Sequence, residues 1–419
     1  MSLALLILER NDRIFSLWYQ DNRLVQVKVH ENDSWSLPIG AMYIGKVKNV
    51  VSSIDAVFVE VCKDKMGFLP MKQAKKPIIL NRKYDGRILA GDEILVQIEK
   101  EAVKTKEVGL TCNISFTGKY MVLTTGKPGI GYSGKLDSLT KSVWKECLEE
   151  WKIRDVLERE KVGMVVRTNA SALVTSKVEM QEEDLLQKDA QPIGLYQKFQ
   201  EEFVKLLEQK KKVLGEASYR TCFSCLFRPQ EGYITDVRDA YEVSFDKIIT
   251  DNTVFYERIK EEFPTLEKVE LYRDSRISLE KLYSVETRLK EALSEKVWLK
   301  NGAYLIIQQT EALTVIDVNS GKMQKKNPGD NIYLEINKEA AKEIALQMKL
   351  RNLSGIIIID FISQDTKEQD QELLTYLSRL VKKDAVKTNV IDMTPLGLVE
   401  VTRKKIQKSL KEQIAPAVW

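Results

Sequence analysis

A strand, a helix and a second strand follow one another in the C-terminal third of the chain, and each strand contains one acidic residue. The segments "ALTVIDVNS" (312–320) and "GIIIIDFI" (355–362) are rich in β-branched residues, while the intervening segment 337–355 repeats apolar residues at spacings of three and four. This pattern predicts an α/β region whose helix has Asn337 as N-cap and ends just before Gly355. Because four consecutive isoleucines are apolar on both faces of a strand, the sheet is expected to be covered on both sides.

Asp317 and Asp360 are the acids of these two strands, and each lies in an apolar run that is expected to bury it. Strand alternation places Asn319 on the same face as Asp317. Asp360 ends its apolar run, at the strand edge where ligands collect in open α/β sheets. Two carboxylates that converge need a neutralising cation, and Mg²⁺ accepts one or two carboxylates together with water and substrate phosphate. The sequence therefore predicts a magnesium clamp, with structural aspartates bonded to backbone amides as the alternative.

The histidine and cysteine counts exclude several other mechanisms. The single histidine, His30, argues against Ser-His-Asp and Cys-His units, two-histidine ribonucleases and His-rich zinc hydrolases. A hydrolase with this composition would have to use carboxylates and a hard cation. Five cysteines argue against a disulfide framework. The C-x-x-C of Cys222 and Cys225 is interpreted as buried thiols in a strand, since Phe223 and Leu226 interleave with them.

Short, closely spaced strands between residues 42 and 110 predict a small closed β-barrel. In "DAVFVEV" the alternation places three valines on one face and Phe58 on the other. Phe68 lies in the turn-like "MGFLP", an awkward place for a core residue. Two outward aromatics beside the lysine-rich segment 100–106 match the stacking and charge of single-stranded nucleic-acid sites. The alternative is that Phe58 packs beneath a neighbouring domain.

The length of 419 residues predicts two to four domains. Residues 1–37 alternate like a β-meander, with Asn11-Asp12 and Asp21-Asn22 as turns. The apolar stretches are too short to span a membrane, and Glu9 interrupts the N-terminal run too early for a signal peptide. A cytoplasmic protein without membrane contact is therefore expected.

The motif "EALTVIDVNSGK", followed by "EAAKEIALQMKLRNLSGIIIIDFI", resembles the catalytic domain of the ribonuclease E/G family. Weaker collinear similarity extends from "YIGKVKNV" and "FLP" to "GLVEVTRKK". The resemblance implies a Mg²⁺-dependent endoribonuclease that cuts single-stranded RNA, such as rRNA precursors and mRNA. It also implies that Asp317 and Asp360 bind the metal and that Asn319 supports them.

The resemblance further implies a multidomain α+β fold. An RNase-H-like subdomain would be formed by residues 1–37 and 210–275. An S1-type OB barrel at 38–117 and a 5′-sensor at 118–209 would be inserted into it. A DNase-I-like α/β catalytic domain would occupy residues 276–419.

Two sets of binding residues also follow from the resemblance. RNA contacts on the barrel would be Phe58, Phe68, Lys100 and Lys106. A pocket for a 5′-monophosphate would be formed by Gly118, Val122, Arg167 and Thr168. An arginine and a hydroxyl at a strand end suit a phosphate on chemical grounds. The alternative is that Arg167 pairs with an acid on a neighbouring helix.

Three features depart from the family pattern: two residues and the absence of a zinc-binding cysteine pair. Gly134, next to Lys135, stands where a second basic residue of the phosphate pocket is expected, so weaker sensing is predicted. Ser363 stands where the family often has an acid. No cysteine follows Cys225, so a homodimer would not be linked by zinc. The rival functions are a non-catalytic RNA-binding scaffold and a DNA-directed nuclease, and the acidic pair with its asparagine favours the enzyme.

Overall fold

The computed structural model describes residues 3–31, 37–102, 107–126, 128–174, 193–240, 245–264, 266–321 and 331–414. The chain forms two compact units, one from Met1–Ser34 with Val243–Trp419 and the other from Trp35–Glu242. Among the helices in these ranges, none combines the length and apolarity that crossing a lipid bilayer requires.

The strands are β1 Leu3–Arg10, β2 Arg13–Gln20, β3 Arg23–Glu31, β4 Met42–Val51, β5 Ala56–Cys62, β6 Lys65–Pro70, β7 Glu93–Lys100, β8 Val108–Thr111, β9 Ser115–Thr117, β10 Met121–Thr124, β11 Gly129–Tyr132, β12 Gly163–Val166, β13 Cys225–Phe227, β14 Lys247–Thr250, β15 Val269–Leu271, β16 Lys296–Trp298, β17 Tyr304–Gln309, β18 Leu313–Asn319, β19 Gly355–Asp360, β20 Thr388–Met393 and β21 Leu398–Arg403. The helices are α1 Ser138–Glu150, α2 Ile153–Glu160, α3 Ile193–Ala217, α4 Gly232–Ala240, α5 Thr253–Glu262, α6 Leu279–Leu282, α7 Val285–Leu293, α8 Ile332–Leu350, α9 Lys367–Val381 and α10 Leu410–Ile414.

The first unit contains a five-stranded sheet of order β15-β14-β1-β2-β3. Strands β1 to β3 form the predicted antiparallel meander, and β14 pairs with β1 in parallel. All four residues of the two predicted turns have positive φ, between 47° and 61°. These are the dihedrals that two-residue hairpin turns need, and Asn and Asp tolerate them best after glycine. The N-terminal segment and residues 247–271 thus share one sheet.

The second sheet of this unit has the order β16-β17-β18-β19-β21-β20, in which only β18 and β19 pair in parallel. Helices α8 and α9 pack into one core against the buried face of this sheet, which includes Ile357 and Ile359. On the opposite face, Val315 is 37% exposed and Ile356 is 51% exposed. The prediction of a sheet covered on both sides is therefore wrong for these residues, because both connecting helices lie on the same side.

Helix α8 begins six residues earlier than the sequence pattern predicted, because its N-cap is Asn331 rather than Asn337. It starts at Ile332, so that Asn337 lies inside the helix with its side chain fully buried rather than at the N-cap. The helix ends at Leu350, and Gly355 opens β19 with a φ of +90°, a conformation that favours glycine.

The second unit contains the predicted barrel. Strands β4, β5, β6, β8 and β7 pair in this order, and pairing of β4 with β7 closes the ring. Val57, Val59 and Val61 are fully buried inside it. Phe68 lies in strand β6 rather than in a turn, because "MGFLP" continues the hairpin from β5.

The remainder of the second unit is a four-stranded sheet of order β11-β12-β10-β9 with helices α1, α2 and α3. Trp144 and Phe199 stack in its core with ring centroids 4.3 Å apart. The end of α3, strand β13 and helix α4 also belong to this unit, which extends to Glu242.

The C-x-x-C segment is not a pair of buried thiols. Cys225 is exposed, Cys222 is half-exposed, and both are free cysteines. Phe223 between them is 38% exposed and has a φ of +69°. The prediction is wrong because residues 221–224 form a turn and the strand β13 begins only at Cys225.

Candidate metal centre and nucleic-acid contacts

Asp317 and Asp360 lie side by side at one edge of the second sheet. They are Cα partners on the adjacent parallel strands β18 and β19, and Asp360 is the last residue of its strand. Residues in register on neighbouring strands point to the same face and lie about 5 Å apart. Two acids that are 43 positions apart in the sequence are thereby placed next to each other.

The two carboxylates are open to solvent. Asp360 is exposed and Asp317 is half-exposed, so the expectation of buried acids is wrong. Both residues belong to the uncovered face of the sheet, where the apolar run of isoleucines does not enclose them. An ion can therefore reach both carboxylates from solvent.

Asn319 is the only side chain of the described residues that bonds to either acid. Its Nδ2 atom donates a hydrogen bond of 2.6 Å to Oδ2 of Asp317. Within the described ranges, neither carboxylate forms a salt bridge or accepts a hydrogen bond from a backbone amide. This disfavours the structural-aspartate alternative, in which amides would hold the carboxylates.

The donor set fits a hard divalent cation. Asp317 and Asp360 offer carboxylate oxygens on one face, and Asn319 fixes the orientation of the first. The described part of the chain contains no cluster of three or more His, Cys, Asp and Glu side chains arranged for a metal. Mg²⁺ binds through one or two carboxylates and keeps several waters or phosphate oxygens, so two acids suffice for it.

Asn337 holds the chain immediately beyond Asp360, a role that the sequence pattern did not predict. Its buried Nδ2 atom donates a hydrogen bond of 2.7 Å to the backbone carbonyl of Ile362. Its Oδ1 atom accepts a hydrogen bond of 3.2 Å from the backbone N–H of Ile362. Gln364 donates a further 2.8 Å hydrogen bond to the same carbonyl. These hydrogen bonds fix the segment that follows β19. The only indication in the sequence was an asparagine in the helix that precedes the strand of Asp360.

A row of residues crosses the barrel surface in strand register. Phe58 pairs with Phe68, Phe68 with Gly109, and Gly109 with Lys100. A Cβ atom on Gly109 would lie 3.1 Å from Cβ of Lys100, so the glycine leaves room for the lysine stem. The two phenylalanines are half-buried and meet edge to face, with ring centroids 5.8 Å apart.

This row brings together three of the four residues predicted to contact RNA on the barrel. Phe58 and Phe68 point away from the valine core, and Lys100 follows on the same surface at the end of β7. Lys106 lies outside the described residues. An aromatic pair beside a lysine is the combination that single-stranded nucleic-acid sites use.

Of the four residues predicted to form the phosphate pocket, Gly118 and Arg167 are in direct contact. Nη1 of Arg167 donates a hydrogen bond of 2.5 Å to the backbone carbonyl of Gly118. The backbone N–H of Arg167 donates a hydrogen bond of 2.7 Å to the backbone carbonyl of Tyr120. Val122 lies in β10 beside β12, and the Thr168 hydroxyl is 3.0 Å from that of Ser133.

The Arg167 guanidinium is already paired with a carboxylate. It contacts both carboxylate oxygens of Asp239 on helix α4, at 3.2 and 3.3 Å. This is the alternative that the sequence left open. Although burial opposes ionisation of Asp239, the charges of Arg167 and Arg238 prevail and hold its pKa below the ordinary value. A phosphate would have to compete with this carboxylate.

A second carboxylate occupies backbone amides of the same pocket. Glu202 of α3 accepts hydrogen bonds from the amides of Lys119, Tyr120 and Met121 at 2.9, 2.9 and 3.1 Å. A Cβ atom on Gly118 would lie 2.0 Å from the Glu202 carboxylate, so only glycine allows this approach. The loop is thus an anion-binding nest. No local sequence pattern indicates this nest, because Glu202 is more than 80 residues away from the loop.

Known proteins share sequence similarity with most of this chain. A sequence model described as the Ribonuclease E/G family matches residues 115–406. Ribonuclease G of Salmonella typhimurium is 30% identical over 414 residues, which cover 94% of this chain and 78% of that protein. Ribonuclease G of Haemophilus influenzae is 31% identical over 389 residues, which cover 89% of this chain and 74% of that protein.

Ribonuclease E of Synechocystis sp. is 31% identical over 389 residues, which cover 90% of this chain. The chain spans about half of that longer relative, 54% of its length. The family match covers well over half of the chain and includes β18, α8 and β19 with both acids. The chain therefore belongs to the ribonuclease E/G family.

Proposed function

We propose that this chain cuts single-stranded RNA internally by Mg²⁺-dependent hydrolysis at Asp317 and Asp360. A ribonuclease of the E/G type follows from family membership. The metal and the preference for single strands are the proposal. The observation that carries it is the pairing of the two acids in register on adjacent parallel strands, open to solvent and free of cationic partners among the described residues.

The residues of the chain would perform separate tasks at this site. Asp317 and Asp360 would hold the ion, and Asn319 would keep the Asp317 carboxylate in one orientation. Asn337 would fix the backbone just after Asp360, so that the second carboxylate stays in place. A bound Mg²⁺ lowers the pKa of a coordinated water and offsets charge on the phosphate during attack.

We also propose an assignment of the individual subdomains. The barrel closed by β4 and β7 supports an S1-type OB fold. The sheet shared by residues 3–31 and 247–271 supports an RNase-H-like subdomain assembled from two segments. The mixed sheet of β16 to β21 would be the DNase-I-like catalytic part. The rRNA and mRNA substrates, the homodimer and the cytoplasmic location stay predictions.

One assay separates the enzyme from its rivals. The protein is incubated with a 5′-monophosphorylated single-stranded RNA, with a matching DNA and with a duplex RNA, each in Mg²⁺ and in EDTA. We expect internal cuts in the single-stranded RNA that stop when EDTA removes the metal. Binding without cleavage would support the scaffold, and equal cleavage of DNA would support a DNA-directed nuclease.

Replacement of Phe58 by alanine tests the barrel surface. We expect Phe58→Ala to weaken binding of single-stranded RNA by about 1–3 kcal/mol, because one stacked base contributes on this scale. The melting temperature should change little, since Phe58 lies outside the valine core. Fluorescence anisotropy with labelled RNA and thermal unfolding measure the two quantities. A large loss of stability with unchanged RNA affinity would instead make Phe58 a packing residue.

The 5′-end preference tests the pocket around Arg167. We expect wild type to cut a 5′-monophosphorylated RNA only about tenfold faster than its 5′-hydroxyl form, or about 1.4 kcal/mol. The preference is small because Asp239 and Glu202 already hold the groups that would bind a phosphate. Arg167→Gln should remove it, since glutamine lacks the cationic fork.

Asp239→Asn is the informative partner of this measurement. It removes a competing charge from the Arg167 guanidinium, so the 5′-monophosphate preference should rise above the wild-type value. Rates with the 5′-hydroxyl RNA should stay the same in both variants. Equal cutting of the two RNAs by wild type, or an unchanged preference in Arg167→Gln, would refute the sensor assignment.

A further inference from the structure

The open face of the mixed sheet carries an aromatic pair beside the acidic pair. Trp298 of β16 and Tyr304 of β17 are Cα partners, and their ring centroids lie 5.2 Å apart. Trp298 is 62% exposed, whereas most large aromatic rings of a folded chain are largely covered. Its unit therefore leaves a broad indole surface open to solvent.

A lysine adds positive charge to this pair. Nζ of Lys296 lies 4.0 Å from the Trp298 ring centroid and 3.9 Å from the Tyr304 ring centroid. Both contacts are well within the range of a cation–π interaction. Exposed rings combined with an amine form the kind of surface on which bases stack while the backbone phosphates are attracted.

Strand register places this cluster next to the acids. Tyr304 is the Cα partner of Asn319, and Lys296 is aligned with Asp317 through Ile306. Residues in register share a face, and each strand-to-strand step is about 4.8 Å. Lys296 and Trp298 thus lie two steps, or about 10 Å, from the β18 residues of the candidate metal site.

We propose that Lys296, Trp298 and Tyr304 form a stacking platform that holds a base of the single-stranded RNA substrate beside the reacting phosphate. The inference rests on the proposed ribonuclease function and adds a positioning surface to it. Two carboxylates repel an RNA backbone until a cation binds, and the platform supplies attraction on the same face. An apolar partner surface would be a poorer occupant, because it would have to desolvate the Lys296 amine and the neighbouring carboxylates.

Steady-state kinetics test the platform with matched variants. We expect Trp298→Ala to raise KM for single-stranded RNA about tenfold while kcat stays within about threefold of wild type. Trp298→Tyr should restore most of the affinity, because it keeps a stacking ring. Ile391→Ala is the control, since Ile391 is 56% exposed on β20 at the opposite edge of the same sheet. An unchanged KM in folded Trp298→Ala would overturn the proposal.

Photo-crosslinking gives a readout that is independent of cleavage. An RNA containing 4-thiouridine is bound to Asp360→Asn protein, and the crosslinked peptides are identified by mass spectrometry. We expect crosslinks within residues 296–304 that disappear in Asp360→Asn/Trp298→Ala. Absence of these crosslinks would overturn the platform. A change in the molecular mass measured by sedimentation in Trp298→Ala, without a change of KM, would also overturn it and would indicate a contact between copies of the chain. Cleavage by Asp360→Asn would instead defeat the proposed function.

Discussion

Asp317→Asn and Asp360→Asn should each lower the turnover of single-stranded RNA at least about a hundredfold. The loss corresponds to about 3 kcal/mol of barrier, the scale of removing one charge-stabilising group from an active site. Each substitution removes a negative charge from a two-carboxylate site, so the remaining acid would hold a divalent cation poorly. Single-turnover cleavage at limiting Mg²⁺ measures the effect.

RNA affinity and stability should change little in both variants, since neither carboxylate is buried or paired with a cation among the described residues. Asp392→Asn is a suitable control, because Asp392 is an exposed acid on β20 of the same sheet. It should cleave like wild type. Normal turnover by Asp317→Asn or Asp360→Asn at limiting Mg²⁺ would remove the acids from the mechanism, whereas loss of RNA binding would indicate a misfolded variant.

The features that the sequence predicted well are those encoded locally. Asn11-Asp12 and Asp21-Asn22 specify tight turns through their own dihedral preferences, and the meander follows. Alternation in "DAVFVEV" separates the buried valines from Phe58. The helix between two apolar runs requires a crossover, and this brings Asp317 beside Asp360.

The features that the sequence did not predict depend on contacts between distant segments. The four consecutive isoleucines are indistinguishable in the sequence, although only one face of their sheet is covered by α8 and α9. The other face leaves Ile356 and both acids open to solvent. Glu202 reaches its three amides from a helix far along the chain. Asparagine is a common N-cap residue, yet the side-chain amide of Asn337 forms hydrogen bonds with the backbone of Ile362 instead. Side-chain partners of this kind cannot be read from periodicity.

A buried ion pair lies beside the start of β19, the strand that contains Asp360. Nε of Arg403 in β21 donates 2.7 Å to Asp384, and the two side chains are only 3% and 9% exposed. The same guanidinium donates 2.7 Å to Oδ1 of Asn352 and 2.9 Å to the carbonyl of Leu353. Arg403 is also the Cα partner of Gly355, where β19 begins. The pair thus lies where the start of β19 is joined to β21.

Asp384→Ala should lower the free energy of unfolding by about 3–5 kcal/mol, which with the acids is the largest effect expected in this chain. Removal of one member of a buried pair leaves the other charge without compensation, and this costs more than the pair itself contributes. The carboxylate also accepts 3.0 Å from the amide of Val386, which would lose its partner. Urea unfolding followed by circular dichroism measures the loss.

The double variant Asp384→Ala/Arg403→Met discriminates the charge from simple packing. Once the guanidinium is gone, no uncompensated charge remains, so the double variant should be more stable than Asp384→Ala alone. Lys382→Ala provides a control, because Lys382 is exposed at the end of α9, two residues before Asp384. Equal or greater destabilisation of the double variant would mean that the arginine contributes through its contacts with Asn352 and Leu353. The entry to β19 would then be held by hydrogen bonds rather than by charge pairing.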